Sequence, residues 1–98
     1  MSVLSRINND VLEIRVSGRI DSSMYKSFTE ISNQGTGLKD AVIDMQEAEY
    51  IDSSGLGMLL LLREKMGGES ASISITNANE TIKKIMKIAN FQTMFTIN

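Results

Sequence analysis

The chain has 98 residues, 42% of them hydrophobic, and a formal net charge of −2 at pH 7. This composition supplies one small core and argues against intrinsic disorder, so we expect a single domain over residues 1–98. The weak negative charge and the lack of a basic patch argue against nucleic acid and anionic membrane as partners.

Two residue types that carry much of enzyme chemistry are missing. The chain has no cysteine, which excludes disulfides, thiol chemistry and cysteine metal sites. It also has no histidine, the commonest general base and metal ligand. Their absence excludes most hydrolase and zinc chemistry.

The sequence also bears on cellular location. Residues 1–6 lack a basic region followed by an apolar one, so no signal peptide is predicted. The longest apolar run, residues 56–62, is interrupted by Gly57 and falls far short of the roughly 20 residues that a membrane span requires. These features favour a cytoplasmic protein that does not insert into a membrane.

The first half of the chain predicts a strand, a helix and a second strand. Residues 11–17 alternate between apolar and polar, which is the pattern of a half-buried strand. Asp21 or Ser22 can cap the helix that follows, whose buried side carries Met24, Phe28 and Ile31. Residues 41–45 predict a short apolar strand, and residues 46–49 a polar connection.

The second half continues the alternation of helix and strand. A helix is predicted from about Ser53 to Met66, and residues 70–76 alternate as a strand whose polar side faces water. Asn77, with Glu80 three residues later, resembles a capping box for a last helix. The buried stripe of that helix is Ile82, Ile85, Met86 and Ala89. This order of elements favours an α/β domain with helices packed on a sheet.

The segment of residues 52–62 (DSSGLGMLLLL) is the most informative one. It places Gly55 and Gly57 in the first turns of a helix, where each costs about 0.5–1 kcal/mol relative to alanine. Two explanations stay open for this cost. The glycines allow the helix to pack closely on the sheet, or they allow a partner to approach the backbone.

A helical wheel divides this helix into two apolar sides. One side carries Leu56, Leu59, Leu62 and Met66, with Leu60 at its edge, and is expected to lie in the core. The other side carries Ser54, Gly57, Met58 and Leu61 and is expected to face outward, because Glu64 and Lys65 lie beside it. Such a stripe is either a docking groove for a partner or the second buried side of the helix.

Ser53 stands at the start of the same helix. Its default role is an N-cap, as for any serine at this position. Its functional role would be that of a phosphate acceptor, since a phosphate there meets free backbone N–H groups and the positive end of the helix dipole. The phosphate would add about −1.5 to −2 charges beside the docking stripe, in a neighbourhood already made acidic by Asp52 and Asp21.

Residues 51–57 (IDSSGLG) resemble the signature of the STAS domain family, the anti-sigma factor antagonists. Residues 18–21 (GRID), residues 42–45 (VIDM) and Gly67-Gly68 before residues 72–75 (SISI) agree with this resemblance, which covers nearly the whole chain. It implies an α/β fold, a single STAS-like domain with a mixed β-sheet flanked by α-helices.

The resemblance also implies a phosphorylation cycle. The unphosphorylated protein would bind an anti-sigma factor that is itself an ATP-using serine kinase, and the kinase would phosphorylate Ser53. A metal-dependent serine phosphatase would reverse this. ATP and metal would then belong to the partners, and this chain would not be an enzyme and would bind no cofactor or metal of its own. The predicted partner-binding residues are Asp21, Asp52, Ser53, Ser54, Gly55, Gly57, Met58 and Leu61.

The same family resemblance leaves an alternative function open. STAS-like proteins also serve as small subunits of membrane ABC transporters, including lipid transporters, where they bind the ATPase subunit without phosphorylation. Family members usually continue into a C-terminal helix, whereas this chain stops at residues 95–98 (FTIN), so part of the usual surface is expected to be missing. In this alternative Ser53 would be only a helix cap.

Two enzyme-like explanations of the motif are disfavoured. A serine hydrolase elbow needs glycine two places before the nucleophile, where this chain has Ile51, and no histidine is available as a base. A receiver domain phosphorylated on Asp52 or Asp44 would need an acidic pair to hold magnesium, and the sequence offers none.

Overall fold

The computed structural model describes residues 2–98, which form one five-stranded sheet and three α-helices. The strands are β1 (Ser2–Asn8), β2 (Val11–Ile20), β3 (Asp40–Ile51), β4 (Ser72–Thr76) and β5 (Thr96–Ile97). The helices are α1 (Tyr25–Gln34), which follows a short 3₁₀ turn (Ser22–Met24), α2 (Ser53–Lys65) and α3 (Glu80–Ile88). The sheet order is β1-β2-β3-β4-β5, with β1 antiparallel to β2 and the other pairs parallel, so the prediction of a mixed sheet with helices is confirmed.

The two faces of the sheet differ sharply in polarity. The strand register aligns Leu12, Ala41 and Ile73 in one row and Ile14, Ile43 and Ile75 in another, and all are buried. Helix residues such as Phe28, Leu59 and Ile82 complete this core. The opposite face carries a row of polar side chains, namely Arg15, Asp44 and Thr76. The predicted water-facing side of β4 belongs to this open face.

The sequence analysis missed β1. The strand turns into β2 through Asn9 and Asp10, whose φ angles of 52° and 64° lie in the left-handed region that asparagine and aspartate tolerate. The pair Asn9-Asp10 is the signal that identifies this hairpin. The strand was not predicted because Leu4 and Ile7 are three residues apart and therefore do not fall on one face of a strand. Leu4 and Ile7 are 64% and 52% exposed.

Strand β3 is longer than predicted. It runs without a break from Asp40 to Ile51, and residues 46–49 form part of it rather than a polar connection. Its pairing with β2 shifts twice, once between the Arg15–Asp44 and Ser17–Glu47 pairs and again after Ala48. Each bulge adds one residue to β3 and moves the following side chains to the other face, which removes the alternation that sequence analysis relies on.

The N-cap of α3 is Asn79, and the prediction that Asn77 caps this helix was wrong. The Asn79 side chain accepts the Ile82 N–H at 2.8 Å, whereas Asn77 has a φ of 60° and donates its side-chain amide to Asp44 at 3.1 Å. This bond from Asn77, followed by one from the Gln46 N–H, holds the pKa of Asp44 below its usual range. Asn77 therefore links the end of β4 to the middle of β3.

We expect Asn79→Ala to lower the free energy of unfolding by about 1 kcal/mol, because the Ile82 N–H loses its acceptor. The Asn79 amide also donates to the carbonyls of Ala48 and Glu49, so the loss includes a link between α3 and β3. Urea unfolding measures the effect. Thr81→Ala is a control at an exposed position of the same helix, and an equal loss in both variants would contradict the capping role.

None of the helices within residues 2–98 is long and apolar enough to cross a membrane.

Candidate functional site

The signature segment lies where β2 and β3 end at the same edge of the sheet. Ile20 and Ile51 are register partners at the carboxyl ends of these neighbouring parallel strands. The Asp52 N–H donates to the Ile20 carbonyl at 3.2 Å, which ties the start of α2 to the end of β2. Asp21 and Asp52 therefore follow directly from one edge, as the sequence analysis expected.

Asp52 is the residue that caps α2. Its side-chain carboxylate accepts the Gly55 N–H at 3.0 Å, and its carbonyl accepts the Leu56 N–H at 3.0 Å. Ser53 is then the first residue of the helix, so the interpretation of Ser53 as the cap was wrong. Ser53 is exposed, and its hydroxyl has no hydrogen-bond partner within residues 2–98.

The first turn of α2 keeps unused hydrogen-bond donors. In the described part of the chain, the N–H groups of Ser53 and Ser54 have no acceptor, as is usual for the first residues of a helix. The first turn carries no acidic side chain of its own. Free N–H groups and the helix dipole together favour a negative group at this point.

Asp21 caps the turn that leads into α1. Its carboxylate accepts the Ser23 hydroxyl at 2.6 Å and the Ser23 N–H at 3.0 Å, and Arg19 lies 3.9 Å away. These contacts, the Ser23 hydroxyl first, lower the pKa of Asp21. Asp21 is thus held as an anion beside the start of α2, and its first role is to shape the turn.

Gly55 is needed for close packing between α2 and the sheet. It is buried, and a Cβ atom added there would lie 2.5 Å from the Ile20 carbonyl oxygen and 2.7 Å from Cγ1 of Ile51. A backbone oxygen cannot move aside as a flexible side chain can. Of the two explanations for this glycine, the geometry favours packing over a partner at the backbone.

Gly57 has no such constraint. It is exposed, and a Cβ atom added there would meet no atom within 4 Å. It lines a shallow groove of ≈290 Å³ between α2 and the start of α1. The residues around this groove are Ser22, Tyr25, Ser54, Gly57, Met58 and Leu61. The second apolar side of the helical wheel, which carries Ser54, Gly57, Met58 and Leu61, therefore lines this groove.

The groove contains one correction to the wheel. Met58, predicted to face outward, is only 4% exposed, whereas Ser54 and Gly57 are exposed and Leu61 is half-buried. Helix α1 packs against α2 and covers the deeper part of this side, so Met58 forms the floor of the groove. Leu60, placed at the edge of the core, is instead 36% exposed.

Ser22 and Tyr25 are groove residues that sequence analysis did not identify. Tyr25 is 57% exposed, a high value for a large side chain. Nothing in the sequence pairs these residues with α2, because their contact arises only from the packing of two helices on neighbouring strands. Among residues 2–98, no cluster of His, Cys, Asp or Glu side chains is arranged to hold a metal ion.

Comparison with known proteins decides the family. The family model described as the STAS domain matches residues 2–98. The chain belongs to the STAS domain family. A STAS-domain containing protein of Pseudomonas aeruginosa is 36% identical over 99 residues, an alignment that covers 100% of this chain and 98% of the relative.

Solved structures with this STAS fold include several anti-sigma factor antagonists. The antagonist SpoIIAA in its unphosphorylated form has a TM-score of 0.77 at 15% identity, covering 99% of this chain and 87% of that one. An anti-sigma factor antagonist from Mycobacterium paratuberculosis has a TM-score of 0.79 at 20% identity, covering 98% and 83%. The phosphorylated form of SpoIIAA, a Bacillus cell fate determinant, has a TM-score of 0.69 at 15% identity, covering 99% and 91%. At these identities the likeness establishes the fold of the STAS domain.

Proposed function

We propose that this STAS domain is a non-catalytic regulator of the anti-sigma factor antagonist type. In its unphosphorylated form it binds an anti-sigma factor with serine kinase activity, through the groove between α1 and α2. Phosphorylation of Ser53 by that kinase releases the partner. A metal-dependent serine phosphatase restores the binding form, and the cycle takes place in the cytoplasm.

The position of Ser53 is the observation that carries this proposal. Because Asp52 supplies the cap, the Ser53 hydroxyl is exposed and is not used to hold the helix. A kinase can therefore modify it without first breaking a structural hydrogen bond. In the transporter alternative Ser53 was to serve as the cap, a role that Asp52 already fills.

The start of α2 also suits a phosphate once it is attached. The free N–H groups of Ser53 and Ser54 and the helix dipole offset part of its charge, so the fold is expected to survive modification. The groove begins at the neighbouring residue, Ser54. A partner that covers this groove would have to accept the new charge next to the existing anions of Asp52 and Asp21.

The experiment that tests the function is affinity capture from the lysate of the source cell, with Ser53→Ala as bait and mass spectrometry of the captured proteins. A serine kinase of the anti-sigma type among them supports the proposal. Transporter ATPase and membrane subunits would overturn it in favour of a transporter role. Incubating the wild-type protein and ATP with the captured kinase should place the phosphate on Ser53, and phosphate on Ser54 alone would contradict the assignment.

Gly57→Ala is expected to change the stability of the domain and its binding of the partner in opposite directions. Because the added methyl group meets no atom, we expect the free energy of unfolding to rise by about 0.5–1 kcal/mol from the better helix propensity. The same methyl group enters the groove, so capture of the partner should fall several-fold. Urea unfolding and titration with the captured partner measure the two effects, and unchanged binding would place the interface elsewhere.

A further inference from the structure

The sheet has one long open edge. Within residues 2–98, β1 pairs with β2 on one side and with no strand on the other. The opposite edge of the sheet is β5, which has only two residues, Thr96–Ile97. Strand β1 has seven residues and offers a row of unpaired backbone groups, which is a template for another strand.

The register of the hairpin determines which residues have outward-facing backbone groups. Asn8 and Val11 flank the two-residue turn and form a hydrogen-bonded pair. From there, the pairs along β1 alternate between non-hydrogen-bonded and hydrogen-bonded. Arg6 and Leu4 direct their backbone N–H and C=O groups towards β2. The residues that alternate with these two direct the same groups away from the sheet, and they are Val3, Ser5 and Ile7.

Several features that usually protect an open edge are missing here. The chain has no proline, and the bulges of the sheet lie between β2 and β3. The charge on β1 is that of Arg6, which forms an ion pair with Glu13 on the neighbouring strand. Leu4 and Ile7 are 64% and 52% exposed, so the edge displays apolar side chains on both faces of the sheet.

We propose that β1 pairs antiparallel with β1 of a second copy of this chain, about a two-fold axis at Ser5. The two sheets then join into one continuous sheet. This surface lies at the β1 edge, whereas the groove lies between α1 and α2, so the proposal does not depend on the proposed function.

The sequence of β1 selects this register over its neighbours. An axis at Ser5 places Ser5 opposite its own copy and Val3 opposite Ile7, so that every outward-facing residue of β1 forms a hydrogen-bonded pair. An axis at Leu4 leaves Ile7 without a partner within residues 2–98. An axis at Arg6 places two arginines directly opposite each other, which is destabilising.

Side-chain contacts agree with an axis at Ser5. Val3 and Ile7 are apolar and β-branched, and such cross-strand pairs stabilise sheets. Arg6 comes opposite Leu4 of the second copy, where no like charge faces it. The area that two edge strands bury is small, so we expect a reversible dimer that forms at high protein concentration.

Opposite charge changes at Leu4 test the register, because this residue would face Arg6 of the second copy twice in each dimer. We expect Leu4→Glu to tighten the dimer about ten-fold and Leu4→Arg to weaken it about ten-fold. Sedimentation equilibrium over a wide concentration range measures both. Ile88→Glu and Ile88→Arg make the same changes at a 77% exposed position on α3 and should leave the equilibrium unchanged.

Because Leu4 also lies beside Arg15 on β2, the melting temperature of each Leu4 variant verifies that the monomer stays folded. A wild-type protein and a Leu4→Glu protein that both remain monomeric would overturn the proposal. Shifts in the same direction for both Leu4 variants would overturn the register.

A cysteine placed on the axis gives an independent reading, since the chain has no cysteine of its own. Directly opposed residues in a hydrogen-bonded antiparallel pair have Cα atoms about 5.5 Å apart, within the range that a disulfide bridges. Under mild oxidation, Ser5→Cys should form a covalent dimer much faster than Ser27→Cys, whose site is exposed on α1. Equal rates for the two variants would mean random collision and would overturn the two-fold axis at Ser5.

Discussion

Gly55→Ala is expected to lower the free energy of unfolding by about 3 kcal/mol. The new Cβ would lie 2.5 Å from the Ile20 carbonyl oxygen, 2.7 Å from Cγ1 of Ile51 and 2.9 Å from Cγ2 of Ile20. Relief requires α2 to move away from the sheet. That movement would weaken the bond from the Asp52 N–H to the Ile20 carbonyl and open the core under Leu59.

Urea unfolding compares this variant with Gly57→Ala, the same substitution two residues later in the same helix. We expect opposite signs, a large loss at Gly55 and a small gain at Gly57. Equal effects at the two positions would mean that α2 tolerates a methyl group against the end of β2. The packing explanation for Gly55 would then be wrong.

Ser53→Asp is expected to stay folded and to lose about 100-fold in affinity for the captured kinase, because placing like charges together at an interface costs several kcal/mol. An aspartate at the first position of a helix interacts favourably with the dipole, so stability should be unchanged or higher by about 0.3–1 kcal/mol. Isothermal titration with the partner captured by Ser53→Ala measures the affinity, and urea unfolding measures the stability.

Ser27→Asp is the matched control, since Ser27 is exposed in the first turn of α1 and does not line the groove. It adds the same charge at the start of another helix and should bind the partner as the wild type does. A Ser53→Asp protein with normal unfolding and unchanged affinity would contradict a charge switch at this site. Equal losses in both variants would reflect net charge alone.

Much of the fold was predictable because its core follows simple periodicities. Residues 12–17 and 70–76 alternate, and the side chains of Leu12, Ile14, Val16, Ile73 and Ile75 are buried as a period of two requires. The stripe of Met24, Phe28 and Ile31 is buried because α1 lies on the sheet. In each case the residues that recur at the period of the strand or helix share one face, so the sequence pattern and the burial agree.

The candidate site was predictable only in part. The motif identified the segment, and the ends of two parallel strands explain why Asp21 and Asp52 come to one edge. The choice of Asp52 over Ser53 as cap depends on where the backbone leaves its extended conformation, which the residue types do not specify. The burial of Met58 depends on how closely α1 approaches α2.

The sequence by itself determined that this protein is a small α/β STAS domain with a helix beginning at its signature, because periodicity, glycine placement and motif order are local properties. The tertiary structure alone decided that Gly55 packs against Ile20, that Gly57 opens a groove with Tyr25, and that β1 forms an open edge. These features join residues far apart in the chain. Their distances follow from strand register and helix packing, which no short segment encodes.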